Sequence, residues 1–141
     1  MYLLTIATLL VGVFAYWKGG PAEKICGVAN VVVAALYIVC QALIAAGAEL
    51  QVMLLLIDCG LALVFLALAV RYASLFLGAA MILQAAQFSL HAYYMVSERL
   101  MDAGYRTANN VISWMVLACI VVATLVSWSK RRATASAARP A

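Results

Sequence analysis

Five apolar stretches occupy almost the whole of this 141-residue chain, and each approaches the length needed to cross a bilayer. They run Tyr2–Trp17, Ile25–Ala46, Leu50–Val70, Ala73–Val96 and Val111–Trp128. A spanning helix needs about 20 apolar residues, with a usable range of about 17–25. The first run sits at the short edge of that range and the fifth lies close to it. Lipid cannot satisfy exposed backbone groups, so only helices or closed barrels span it. No run shows the alternating period of barrel strands. The expected fold is therefore all-α, a polytopic bundle of five transmembrane helices.

Composition closes off the soluble alternative. The chain is 69% hydrophobic and 10% charged, against roughly 25% charged in soluble domains. A small soluble fold leaves too much of its surface exposed to hide that much apolar area. The first run does not read as a signal peptide. Met1–Ala15 contains no Lys or Arg, and no small-residue cleavage pattern precedes Tyr16-Trp17.

Basic residues set the expected orientation. With the N-terminus outside, Lys18, Lys24, Arg71, Lys130, Arg131, Arg132 and Arg139 fall on one side and Arg99 and Arg106 on the other. That bias predicts an outer N-terminus and a cytoplasmic C-terminus in a bacterial inner membrane. It also accounts for the net charge of +4 without nucleic-acid binding. Aromatic residues are expected at both interfaces, with Tyr16, Trp17, Tyr72 and Trp128 inside and Tyr2, Tyr93, Tyr94 and Tyr105 outside.

Residues 1–129 read as one bundle, and 130–141 as a mobile basic tail resting on anionic lipid. Gly19-Gly20-Pro21 separates the first two helices. The turn at Arg71-Tyr72-Ala73-Ser74 makes the third and fourth helices antiparallel neighbours. The outer connection Ser97–Thr107 is the longest, with Gly104 as a helix breaker and Asn109-Asn110 as the cap of the fifth helix. Small residues that let helices approach are expected at Cys119, Ala123 and Ser127, and at Ser74 and Gly78. The four cysteines (Cys26, Cys40, Cys59, Cys119) lack metal-ligand spacing and read as small hydrophobes. No metal is expected.

The polar residues inside the apolar runs are more informative. Asp58 is the only carboxylate within a run, and His91 is the only histidine. At about 1.5 Å per residue from the turn near Tyr72, Asp58 lies about 22 Å up the third helix. Gln87 has about the same height, with Gln84 one turn inward and His91 one turn outward. Ala80, Gln84, Gln87, His91, Tyr94 and Glu98 form one helical stripe, and Gln51, Asp58 and Ala62 share a face. Gln41, Asn109, Asn110 and Ser113 add to a polar layer in the outer half of the membrane. Such a stripe must face inward, a wet cleft or a partner. Intramembrane acids are costly and tend to be functional, while a neutral Asp58 bonded to Gln87 or His91 would fix a helix pair.

Known catalytic motifs are missing: there is no nucleophile elbow, phosphate loop, HExxH or acidic cluster. The layout resembles small five-helix inner-membrane proteins of alphaproteobacteria. The resemblance rests on Gly19-Gly20-Pro21-Ala22-Glu23-Lys24, on Asp58, and on Gln84, Gln87 and His91, with Pro21 one position early and Lys24 for Arg. It implies topology and compartment, and no activity.

The leading expectation is a non-enzymatic accessory subunit of a larger membrane complex, in contact with other subunits or with copies of itself, and with no cofactor. A proton-linked transporter using Asp58 and His91 in an outward-facing layer is the alternative. A haem- or quinone-associated redox protein is the second, with His91 as axial ligand and Met95 or Met53 opposite.

Overall fold

Apolar segments denied water must satisfy their backbone internally, and this chain does so with five α-helices. The computed structural model describes residues 2–44, 47–97 and 102–137. The helices are α1 (Tyr2–Lys18), α2 (Pro21–Leu43), α3 (Ala48–Tyr72), α4 (Leu75–Val96) and α5 (Ala103–Ala137). α2 to α5 are long and apolar enough to cross a membrane, and α1, with 17 residues, lies at the short edge. The fold is that of a multi-pass helical membrane protein.

Local chemistry explains the boundaries. Gly20 precedes Pro21, the first residue of α2, and its N–H donates to Glu23 Oε2 at 2.8 Å, which meets an orphan donor at the helix start. α3 ends on Ala73, whose φ of 46° turns the chain through the left-handed region. Ser74 then caps α4, its Oγ accepting the Leu77 N–H at 3.5 Å. Asp102 caps α5 by accepting the Tyr105 N–H at 2.8 Å.

α5 departs from the expected boundaries at both ends. It starts eight residues before Val111, so Gly104 does not break it and Asn109 and Asn110 lie inside it rather than capping it. At the other end it continues as helix through Lys130–Ala137, where a mobile tail was expected. Hydropathy falls at Lys130, but Lys, Arg and Ala are strong helix formers, and nothing there stops the helix. Residues 138–141, including Arg139, and residues 98–101 lie outside the described residues.

The helices form a closed ring. α1 packs on α2, α2 on α3, α3 on α4, α4 on α5, and α5 returns to α1, with a smaller contact across the ring between α2 and α5. α3 and α4 share the most extensive contact, as their short turn requires. α1 and α2 approach closely at Gly12 and Gly27. A Cβ on Gly27 would lie 2.9 Å from Ala15 Cβ and 3.3 Å from the Gly12 carbonyl oxygen. The expected small-residue contacts are only partly realised. Ala123 is buried, Cys119 packs against the core, and Ser127 donates to Glu23 Oε2 at 3.3 Å. Gly78 instead faces open space, and Ser74 serves as a cap.

Apolar side chains cover the outside: Leu3, Leu43, Val70, Leu75 and Val96 are all more than 70% exposed, as lipid-facing positions should be. The end bearing Lys18 and Pro21 is filled by an apolar plug of Ala15, Cys26, Phe65, Leu77, Ile120 and Ala123. Basic and aromatic residues ring that end, with Lys18 and Arg132 over Trp128 and Lys24 over Tyr16. Arg131 donates to the Lys18 carbonyl oxygen and ties α5 to the end of α1. At the opposite end Tyr93 is exposed, but Tyr94 and Tyr105 turn inward and are buried, contrary to the interfacial role expected of them.

Candidate functional site

The stripe read on α4 faces the interior of the ring. Ala80, Gln84, Gln87, His91 and Tyr94 are all buried, because a polar stripe in lipid has nowhere else to find partners; Glu98, its sixth member, lies outside the described residues. On α3 the inward face is Leu54, Asp58, Leu61, Phe65 and Leu68. Gln51 and Ala62, expected to share the face of Asp58, are only half-buried.

Asp58 joins the two faces. Its Oδ1 accepts from Gln84 Nε2 at 2.9 Å, and its Oδ2 lies 2.8 Å from His91 Nε2. No well-aligned hydrogen bond reaches Oδ2, although the atom is fully buried. The His91 contact is therefore one of proximity rather than an aligned hydrogen bond. His91 Nδ1 lies 2.6 Å from the Tyr105 hydroxyl, and Nε2 lies 3.4 Å from the Tyr37 hydroxyl. The Tyr105 ring meets the imidazole edge-on, with centroids 5.4 Å apart. If Nε2 carries the imidazole proton, Tyr105 donates to Nδ1; in the other tautomer Nδ1 donates to Tyr105. Either tautomer thus keeps the contact with Tyr105.

Beside this group lies a cavity of about 570 Å³, within the size range of small-molecule sites. Asp58, Gln84, Gln87, Tyr37 and Tyr105 line it, and His91 sits behind them in the wall. Gln87 donates through Nε2 to Asn109 Oδ1 at 3.0 Å, which fixes α4 to α5. Asn30, Asn110 and Ser113 also face the cavity. Gln41 is exposed at its mouth, as is Arg106, the only basic residue of the lining among the described residues, so Gln41 borders the site without joining the Asp58 network. Leu61 and Val116 belong to both the cavity lining and the apolar plug, which closes the cavity towards the Lys18 end.

Among the site residues, Tyr37 and Tyr105 could not be singled out from the sequence. A tyrosine near a helix end reads as an interfacial anchor, and only the ring closure brings both onto His91. Comparison with protein-family models, curated proteins and solved structures finds no match to this chain.

Proposed function

We propose that this protein binds a small solute in its polar cavity and couples solute passage to a proton carried by Asp58 and His91. The observation that carries the reading is the buried 2.8 Å contact between them, set beside a cavity that an apolar plug closes on one side. A titratable pair kept from bulk water, reachable from one face, is what a proton-linked carrier needs in one of its two states. The plug of Phe65, Leu77 and Ile120 is then the barrier that parts in the other state. In the same proposal the membrane is the bacterial inner membrane. The N-terminus and the cavity mouth face outward, and the C-terminus is cytoplasmic, with the cluster of basic residues at the Lys18 end as support.

The expectation of an accessory subunit drew on a polar stripe that could face a partner. That stripe is turned into the chain's own interior, so this reading keeps only the small size of the chain and its nearly complete occupation by membrane helices as support.

The test is reconstitution into vesicles loaded with a pH-sensitive dye, with uncharged, acidic and basic solutes added outside in turn. Wild-type vesicles are expected to change internal pH with one solute class, and Asp58→Asn vesicles holding as much folded protein are expected to show no such change. A solute-driven change that survives in Asp58→Asn removes Asp58 from the coupling.

A further inference from the structure

We infer that the cavity takes an uncharged solute with hydrogen-bonding groups on an apolar frame. The inference rests on the proposed solute-binding role and specifies its ligand.

The charges around the cavity argue for this class. Among the described residues, Asp58 and Arg106 are the only charged side chains of the lining, and Asp58 already faces His91. Arg106 is exposed at the mouth, where water and salt weaken its pull. A buried anion would lie beside the Asp58 carboxylate, and a buried cation would have to compete with His91 for it. Either charge would leave water without a dedicated partner, which is strongly unfavourable.

The uncommitted groups of the wall point the same way. Gln84 turns its NH₂ to Asp58 Oδ1 and its carbonyl oxygen away from it. That oxygen takes no other partner among the described residues. Asn109 likewise uses Oδ1 on Gln87 and keeps its Nδ2 donors. The cavity therefore offers a neutral acceptor and neutral donors between walls of Val33, Leu54, Leu61 and Val116. Amides facing apolar walls suit a ligand that is itself part amide, carbonyl or hydroxyl and part hydrocarbon.

The test uses three probes of nearly one shape, benzamide, benzoate and benzamidinium, titrated calorimetrically into the detergent-solubilised full chain. Only heat lost in Ala34→Phe is counted, since a phenyl group there takes up part of the cavity; Val33→Phe replaces it if that variant elutes aggregated. Benzamide is expected to bind at least about tenfold more tightly than either ion. Tighter binding of benzoate, tighter binding of benzamidinium, or no cavity-dependent heat from any probe would each overturn the inference. An inverted charge preference, with proton coupling still lost in Asp58→Asn, removes the ligand class alone. Preference for benzamide in a protein whose proton movement ignores Asp58 removes the coupling and leaves the ligand class standing.

Discussion

Replacing His91 by leucine is expected to destabilise the purified protein by about 3 kcal/mol, the low end of the range for removing one partner of a buried pair. The imidazole faces Asp58 Oδ2, which has no well-aligned donor, and accepts from or donates to Tyr105. Leucine fills most of the space but takes the imidazole away from the carboxylate, which keeps its bond from Gln84. The loss stays at the low end because that bond at 2.9 Å survives. Asp58→Asn in the same chain removes the stranded charge, so the double variant should recover most of the stability lost by His91→Leu. Thermal unfolding in one detergent, for wild type, both single variants and the double variant, measures the coupling directly. Strictly additive losses would mean that Asp58 and His91 do not act as a pair.

The second large effect belongs to the helix crossing. Gly27→Val is expected to cost about 1–3 kcal/mol, the usual penalty for overpacking. A Cβ at that position meets Ala15 Cβ at 2.9 Å and the Gly12 backbone at 3.3–3.4 Å, and backbone cannot move aside as a side-chain tip can. α1 and α2 would have to separate, and the shortest helix of the ring would lose its best contact. Gly60→Ala and Gly78→Ala are the matched controls. A Cβ at either position meets nothing within 4 Å. Both should be neutral or slightly stabilising, because alanine is favoured over glycine inside a helix. Equal losses at Gly27 and Gly78 would contradict the packing described here.

That contrast shows where the sequence is legible. Apolar run length is enough to find five helices, because lipid leaves the backbone no other choice. The 3–4 spacing on α4 is enough to turn Gln84, Gln87 and His91 inward, and equal height along antiparallel neighbours puts Asp58 among them. Small-residue spacing is weaker. In an alanine-rich helix it points to Gly78, which packs on nothing, and passes over Gly12 and Gly27, whose approach depends on how two helices cross. Polar residues within a spanning helix mislead in a related way. Asn109 and Asn110 resemble a cap because they interrupt the apolar run, yet they face a polar cavity and Asp102 supplies the cap. The roles of Tyr37 and Tyr105 depend on α5 packing beside α4 and on the Tyr37 side chain reaching from α2 to His91, long-range facts with no local signature.

The central claim is a polar cavity open at one membrane face and closed at the other by an apolar plug. It is tested most directly by cysteine accessibility. In a chain whose four native cysteines are replaced, single cysteines are placed at Ser113, which lines the cavity, and at Ala123, buried in the plug. A membrane-impermeant maleimide is then applied to each face of the native membrane in turn. The account predicts that Ser113→Cys reacts from the outer face only and that Ala123→Cys is protected from both faces. Labelling of Ser113→Cys from the cytoplasmic face alone, or equal labelling at the two positions, would contradict it.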